Sequence, residues 1–538
     1  MEPLSWTGSL SFVNLLMTIA VAVMLVDIVL QILMGLFGAA GGRAVNADGT
    51  LAAQQGLSGL VGAAVLWSFY AVVGLALVYV IGGALLGLKA GILGAMSRQL
   101  VPVWIALVVT FVVSITYKRK LGLYGKLFDS TVGMVGFALV MFWVFTGIFG
   151  GVFNMLITHD SLSQVSGMKN ALPGTPVSGA DENTYPYFLL GGDNLARDIF
   201  SRLIKGAWVV VVIAPLATLF AFMVGITLGV PAGYYSGPAL TRGTTAWIIV
   251  AALFALVALV VLVTAGPSTF VLMAIILALL FAVMHRASLD TVLSFLANLI
   301  LAFPVILLFY LLVTPEIVLT GIPNYMAAVL FIFPVIFFAV LLNARYYTQP
   351  SFRTPLLIVV IGGLFWAYLS LISNDGAIVA NDNITIPGLP RFLDWIPMPP
   401  EILVVFVSVV FVNSPTVFRI VRGLALDIKT RDYVAAAQTR GEGPWYIMLW
   451  EILPNARGPL IVDFCLRIGY TTILLGTLGF FGLGLESESP DWGTTINAGR
   501  RLLSVYPHAA IAPAVSLLTL VLGLNLLADG LREESLRD

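Results

Sequence analysis

Residues 429–455 read K-T-R-D-Y-V-A-A-A-Q-T-R-G-E-G-P-W-Y-I-M-L-W-E-I-L-P-N, a polar interruption with apolar segments on both sides. The stretch opens with Lys429, Arg431 and Asp432, which indicates that it lies in water. Residues 433–440 are good helix formers with three consecutive alanines, so they predict a short helix. An alanine-faced helix lets another backbone approach closely and therefore suits a groove on a partner protein. An ordinary surface helix that touches nothing is the alternative.

Glycine and proline mark the end of this helix and the start of the next. Gly441 and Gly443 supply a helix stop, and Pro444 fits the first turn of a second helix. That second helix, residues 445–452, is amphipathic and rich in aromatic side chains. Pro454 ends or kinks it where the chain re-enters an apolar segment.

The composition is that of a membrane protein. The chain has 538 residues, of which 59% are hydrophobic and 10% charged, with a mean hydropathy of +1.01. Soluble globular chains contain about 25% charged residues, so we predict an all-α, polytopic membrane helix bundle. The formal net charge is zero, which gives no field that attracts nucleic acid. The single cysteine, Cys465, excludes an internal disulfide and a cysteine-built metal site.

A helix that crosses a bilayer needs about 20 apolar residues. Segments that approach this length occur at about 10–37, 57–86, 100–117, 131–157, 208–230, 246–265, 268–284, 289–304, 325–342, 355–372, 402–417, beyond Pro454, and 509–528. We interpret the first as a retained span. The basic cluster at residues 117–120, with Lys126, predicts a cytoplasmic turn, whereas Lys89 and Arg98 then fall outside, against the positive-inside rule.

A second charged stretch, G-G-D-N-L-A-R-D-I-F-S-R-L-I-K-G-A, occupies residues 191–207. Leu195, Ile199 and Leu203 recur at helical spacing, so the pattern predicts an external amphipathic helix. The residues that we assign to the polar side of this helix are Asp193, Arg197, Asp198 and Arg202.

Three charged residues lie within apolar segments. Asp463 and Arg467 are four residues apart, and an intrahelical ion pair is the least costly arrangement for them. A role in a transport pathway is the alternative. We interpret Asp27, inside the first segment, as protonated and hydrogen-bonded within the bundle, with a functional role as the alternative.

Catalytic and cofactor motifs are absent from the sequence. No P-loop, nucleophile elbow or H-E-x-x-H pattern occurs, and His159, His285 and His508 are scattered. We therefore expect no catalytic, cofactor or metal site in this chain.

The order of these motifs resembles that of ABC-importer permeases. Residues 429–455 resemble the EAA loop of that family, which docks into the ATPase subunit. Ala435, Ala436, Ala437 and Gly441 occupy the E-A-A and G positions, and Leu453 and Pro454 the closing pair. Ala435 replaces the usual acid of the family. The resemblance assigns ATPase coupling to Arg431, Asp432, Tyr433, Ala435, Ala436, Ala437, Arg440, Gly441, Leu453 and Pro454.

Further motifs resemble the dipeptide and oligopeptide permeases within that family. Residues 191–207 are similar to the pattern G-T-D-x-x-G-R-D-x-x-S-R-x-x-x-G-A, with Gly192 and Ala196 departing from its Thr and first inner Gly. Residues 231–237, 479–484, 490–493 and 525–532 are similar to other markers of those permeases. The resemblance covers a little under half of the chain.

This resemblance implies a six-span permease core with about seven extra spans. The implied parts are an extra N-terminal membrane segment at 1–130, core parts at 131–240, 289–315 and 402–538, an inserted hairpin at 241–288, and a second hairpin with an external loop at 316–401.

The resemblance also implies partners and a location. We expect a second homologous permease, two ATPase subunits that bind ATP and Mg²⁺, an extracytoplasmic substrate-binding protein, and surrounding lipid in a bacterial inner membrane. The substrates of the family suggest di- and oligopeptides, with nickel complexes or sugars as the alternatives. A carrier driven by ions or protons, using Asp27, Asp463 and Arg467, is the alternative.

Overall fold

The computed structural model describes residues 2–36, 57–177, 184–236, 289–314, 316–317, 322–372, 400–483 and 489–535. The predicted hairpin at 241–288 has no described residue before Leu289, and the external loop at 374–401 is described only at its last two positions.

The chain forms two compact units. The first contains Met1–Val112, Phe142–Trp208 and Thr495–Val515. The second contains Val113–Met141, Val209–Thr494 and Ser516–Asp538.

Helices dominate the described residues. In chain order they are α1 (Ser11–Leu36), α2 (Leu57–Leu86), α3 (Gly91–Gln99), α4 (Val101–Tyr117), α5 (Gly122–Lys126), α6 (Thr131–Gly147), α7 (Ile199–Tyr234), α8 (Leu289–Leu301), α9 (Val305–Val313), α10 (Ile322–Arg345), α11 (Pro350–Ile372), α12 (Pro400–Ile428), α13 (Asp432–Thr439), α14 (Pro444–Tyr446), α15 (Leu453–Asn455), α16 (Arg457–Phe481), α17 (Trp492–Arg500) and α18 (His508–Ser535). π-Helical turns occur at Ile148–Val152 and Ile447–Ile452. Strands β1 (Thr175–Pro176) and β2 (Tyr187–Phe188) pair antiparallel, with Thr175 opposite Phe188.

Eight of the described helices are long and apolar enough to cross a membrane, and a bent pair of shorter helices makes a ninth. This confirms an all-α polytopic membrane bundle. The predicted segments at 10–37, 57–86, 100–117 and 131–157 coincide with α1, α2, α4 and α6, although α6 already gives way to a π-helical turn at Ile148. The total of about thirteen spans stays a prediction.

The segment predicted as one span at 289–315 is broken. Helices α8 and α9 meet at an angle of 82°. Pro304 lies at the break with φ −63° and ψ 118°, an extended conformation. Proline has no backbone N–H and disfavours helical geometry in the residue before it, which explains why the helix stops at Leu301.

Helix α12 is longer than the predicted span at 402–417 and continues to Ile428. Its added turns bury Val421, Ala425 and Ile428, which recur at spacings of four and three. That period gives one apolar helical face, so the helix remains packed after the hydrophobic run ends.

The core of the second unit is built on α7 and α12. Gly225, Gly229 and Gly233 recur every four residues along α7. A Cβ atom at Gly225 would lie 2.5 Å from Cγ1 of Val417, and one at Gly233 would lie 2.7 Å from Cβ of Ala425. The glycine stripe therefore lets the two backbones approach closely, as small residues do between membrane helices.

Candidate functional site: the 429–455 loop

The 429–455 loop begins with a helix whose two ends are set by backbone geometry. Arg431 is extended, with φ −78° and ψ 149°, and α13 starts at Asp432. At the other end Gly441 has φ +78°, a left-handed conformation that glycine adopts without strain. The N–H of Glu442 then donates to the carbonyl of Ala437 at 3.2 Å, which closes the helix. The predicted helix and its glycine stop are confirmed.

Only two of the eight side chains of α13 are buried. Val434 and Ala437, three residues apart, have no exposed surface and pack into an apolar cluster with Ile428, Ile447 and Met448. The exposed residues of this helix are Asp432, Tyr433, Ala435, Ala436, Gln438 and Thr439. Of the three alanines, Ala437 therefore holds the helix in place while Ala435 and Ala436 form part of a free surface.

Lys429 attaches the start of the loop to the end of α7. Its Nζ donates to Oγ of Ser236 at 2.6 Å and to the carbonyl of Gly233 at 3.0 Å. Gly233 lies in the last turn of α7, where carbonyl groups have no N–H partner four residues on within the helix, and Ser236 follows that helix. The loop is thus anchored at its base, by Lys429, and along its inner face, by Val434 and Ala437.

The second half of the loop is a helix with a π-helical turn. Gly443, with φ −68° and ψ 152°, precedes Pro444 at the first turn of α14, and Ile447–Ile452 is π-helical. Met448 and Ile452 are buried. Pro454 lies inside α15, and one turn residue, Ala456, separates α15 from α16.

Two contacts connect this second half to neighbouring residues. Arg440 donates from Nη2 to Oε1 of Glu451 at 3.0 Å, which joins the two halves of the loop. The guanidinium carbon of Arg345, at the end of α10, lies 4.7 Å from the ring centre of Trp450. That distance is within the range of a cation–π interaction.

A further ion pair joins α12 to the broken helix pair. Both Nε and Nη2 of Arg422 bond the carboxylate of Asp290, the second at 2.6 Å. Asp290 lies in the first turn of α8, and α8 and α9 both pack on α12. The ion pair between Asp290 and Arg422 was not predicted from the sequence. The only feature of the sequence that could have indicated this pair is that Asp290 and Arg422 carry opposite charges near the ends of predicted apolar segments.

Asp463 and Arg467 form the predicted intrahelical pair. Nε of Arg467 donates to Oδ2 of Asp463 at 2.7 Å. Close to them in sequence, Thr471 lies 3.3 Å from Oγ1 of Thr218 and accepts a bond from the side-chain amide of Asn413 at 3.4 Å. These polar groups join α7, α12 and α16. The predicted intrahelical ion pair is therefore present in α16.

Asp27 differs from its prediction. Its Oδ2 is buried and has no hydrogen-bond partner among the described residues, whereas the sequence analysis expected a hydrogen bond within the bundle. Helix α1, which carries Asp27, buries little of its own surface, so it offers few polar neighbours.

The predicted external amphipathic helix at 191–207 is wrong for its first eight residues. Helix α7 begins only at Ile199, and residues 191–198 form a compact turn in which Gly191 and Ala196 have φ +84° and +62°. We name residues 191–202 the polar turn. Its charged side chains are buried rather than spread over a helix surface: Asp193, Arg197, Asp198 and Arg202.

The carboxylates of the polar turn are saturated with donors. Oδ2 of Asp193 accepts from Nε of Arg197 at 2.7 Å, and Oδ1 accepts from two backbone N–H groups at 2.8 and 2.9 Å. Oδ2 of Asp198 accepts from Oγ1 of Thr158 at 2.6 Å and from Oγ of Ser201 at 2.7 Å. Local bonds to Asp193 explain why the chain turns here instead of continuing a helix.

His159 and Tyr185 complete the surroundings of the polar turn. His159 lies 3.4 Å from Asp198 and 3.0 Å from the carbonyl of Tyr185. Burial raises the pKa of Tyr185 to about 12, so its phenol stays neutral. No group of three metal-binding side chains occurs in the described part of the chain.

Comparison with known proteins identifies similar chains. Residues 271–533 match the family model described as "Binding-protein-dependent transport system inner membrane component". The match includes the 429–455 loop but not the polar turn.

Two curated relatives illustrate the similarity. The glutathione transport system permease protein GsiD of Pectobacterium atrosepticum is 37% identical over 129 residues, which is 24% of this chain and 43% of that relative. The probable D,D-dipeptide transport system permease protein DdpC of Escherichia coli is 33% identical over 196 residues, which is 35% of this chain and 65% of the relative. The chain thus spans about half of the length of these two relatives.

Proposed function

The chain belongs to the ABC-importer permeases of the dipeptide and oligopeptide type, and from this premise we propose that it forms the membrane pathway of an ATP-driven importer in the bacterial inner membrane. Movement of the substrate would be driven by partner ATPases. This chain would supply the pathway and the mechanical link to them.

The observation that carries the proposal is the outward face of α13. Six of its side chains are exposed while Val434 and Ala437 fix it to the second unit. A helix held on one side and free on the other can fit a groove of a partner and transmit its movement. Ala435, in place of the family's acid, leaves that surface without one charge, and the remaining polar contacts would come from Arg431, Asp432 and Arg440.

The proposed force path runs from α13 into the membrane helices. Closure of the ATPases on ATP would displace α13, and the cluster around Val434 would move α12 with it. The bonds of Lys429 to Gly233 and Ser236 would carry the same displacement to α7. Because packed helices shift as rigid units, a small movement of the loop would change access to a membrane pathway.

The names of the relatives support a peptide-type substrate. One is named for glutathione, a tripeptide, and the other for D,D-dipeptides. We propose di- or oligopeptides as the substrates, delivered by an extracytoplasmic binding protein. A second homologous permease and two ATPases would complete the importer.

The alternative of an ion-driven carrier receives less support. Asp463 and Arg467, which such a carrier would use, are bonded to each other on one helix. A pair of this kind neutralises its own charges and has little capacity left for a transported ion.

The test is to purify the complex through a tag on this chain and to measure peptide uptake and ATP hydrolysis in proteoliposomes. We expect an ATPase pair to co-purify and uptake to require ATP. A chain that purifies alone and transports without nucleotide would contradict the proposal.

Two glycine variants sharpen the test. Gly441→Val forces a β-branched residue to φ +78°, a strained conformation that should distort the end of α13. We expect uptake to fall at least about tenfold while insertion into the membrane is retained, since the change costs roughly 1–2 kcal/mol locally. Gly443→Val is the matched control, because Gly443 is also exposed, has open space around it and has φ −68°. Normal uptake by Gly441→Val would contradict the role of α13.

A further inference from the structure

A groove in the second unit lies beside the 429–455 loop. Its walls are α10 and α11, and Trp445 of α14 closes one side. The groove has a volume of about 700 Å³, within the range of small-molecule sites, and is lined by Ala339, Val340, Asn343, Leu357, Ile358, Ile361, Gly362 and Trp445. Asn343 is the one hydrogen-bonding side chain among these residues apart from the Trp445 indole.

The groove has a basic end and an apolar end. The turn between α10 and α11, residues 346–349, is flanked by Arg345 and Arg353. The residues that line the groove lie on both helices at increasing distance from this turn. They extend from Asn343 to Ala339 on α10 and from Leu357 to Ile361 on α11. The two arginines therefore lie at the end of the groove that is next to the turn, and the apolar part of the groove extends away from them.

Within the described residues, no carboxylate pairs with either of these two arginines. Neither Arg345 nor Arg353 has an ion-pair partner in the ranges that the structure describes. Arg345 instead lies over the ring of Trp450, and Arg353 lies 6.0 Å from the ring centre of Tyr347. Aromatic side chains beside arginine are typical of the level of lipid headgroups.

We propose that this groove binds an anionic phospholipid, with an acyl chain between α10 and α11 and the headgroup phosphate at Arg345 and Arg353. The charge pattern selects this occupant, because basic residues at the end of an apolar groove between membrane helices match a phosphate attached to a hydrocarbon chain. An uncharged transmembrane helix of a partner protein would leave both arginines without counter-ions. The bound lipid contacts Trp445 and lies next to Arg345, so it touches the 429–455 loop directly. The inference does not depend on the proposed transport function.

Two adjacent residues of α11 offer a matched pair of variants. Ile358 lines the groove and is 67% exposed, whereas Val359 is 71% exposed and does not line it. Ile358→Trp should fill the groove, and Val359→Trp should add the same bulk outside it. Both positions are accessible, so both variants should fold, which a thermal unfolding curve would verify.

The experiment uses the tagged full-length chain with whatever subunits it retains, reconstituted in nanodiscs of equal phosphatidylglycerol and phosphatidylcholine with the same acyl chains. After gentle release into detergent, native mass spectrometry counts the retained lipids. We expect the wild type and Val359→Trp to retain phosphatidylglycerol in preference to phosphatidylcholine, and Ile358→Trp to lose the retained lipid.

The charges are tested separately. The double variant Arg345→Gln, Arg353→Gln should lower the preference for phosphatidylglycerol roughly thirtyfold. Arg457→Gln, which removes an exposed arginine outside the groove, should not change it. Equal retention of both lipids by the wild type, an unchanged preference in the double variant, or release of a protein subunit instead of lipid by Ile358→Trp would each overturn the proposal.

Discussion

The polar turn contains four charged residues and the 429–455 loop contains six, but the two regions differ in how deeply those charges are buried. In the polar turn the side chains of Arg197 and Asp193 are 3% and 2% exposed. In the loop the side chains of Arg440 and Glu451 are 55% and 23% exposed. Both pairs have short nitrogen–oxygen distances, so distance alone does not distinguish them. Burial does, because a charge away from water depends on its protein partner for all of its solvation.

The comparison assigns different roles to two motifs that look alike in sequence. The carboxylates of the polar turn are hydrogen-bonded within the first unit, and the turn therefore acts as a structural element of that unit. The loop leaves most of α13 free, which is expected of a surface that meets another protein. The predictions below test this difference.

The largest effect is expected for Arg197→Ala. Removing the guanidinium leaves Asp193 buried with only backbone donors, and breaking a buried pair costs about 3–5 kcal/mol. We expect a large fall in the midpoint temperature of thermal unfolding and in the yield of folded protein. Arg197→Lys, which keeps a charge but has one donor group instead of the planar guanidinium, should lose less. Unchanged thermal unfolding in Arg197→Ala would show that the turn does not depend on this pair.

An intermediate effect is expected for the half-buried pair of Asp290 and Arg422. Asp290→Asn removes a bidentate, charge-assisted interaction between α8 and α12 and should destabilise the protein by about 1–2 kcal/mol. If the pair transmits movement from α12 to the broken helices, uptake should fall more than ATP hydrolysis.

The charge-reversed double variant separates a specific pair from a general need for the two side chains. Asp290→Arg combined with Arg422→Asp should recover part of the uptake that either single reversal loses. A double variant that loses as much as the sum of the two single variants would mean that the residues do not interact functionally.

The smallest effect on stability is expected for Arg440→Ala. Exposed ion pairs contribute about 0–1 kcal/mol, so the unfolding temperature should barely change. Uptake should nevertheless decrease if Arg440 contacts an ATPase. A loss of stability equal to that of Arg197→Ala would remove the distinction between the two regions.

Local sequence signals were sufficient for many elements. The start and stop of α13 follow from a run of alanines and from Gly441, and the spans at 57–86 and 100–117 follow from the length of their apolar runs. The pair of Asp463 and Arg467 follows from a spacing of four. Each of these features depends on residues close together in the chain.

The errors have a common physical cause. The spacing of Leu195, Ile199 and Leu203 predicted a helix. The carboxylate of Asp193 instead accepts hydrogen bonds from backbone N–H groups of its own turn, so no helix forms before Ile199. In the core part at 289–315, Pro304 coincides with an 82° bend that was not predicted. In both places a local interaction, a side-chain hydrogen bond or the backbone geometry of proline, outweighed the helical spacing of the apolar residues.

The sequence by itself determined that this protein is a helical membrane bundle with a short alanine-containing helix in water, because hydrophobic length and helix-stop residues act locally. Tertiary structure decided which face of that helix is free, since Val434 and Ala437 are buried in an apolar cluster that also contains Phe222 and Val230 of α7, far away in the chain. It also decided that Asp290 pairs with Arg422, 132 positions away, and that a groove opens beside Trp445. Such contacts depend on how helices pack, which no local pattern specifies.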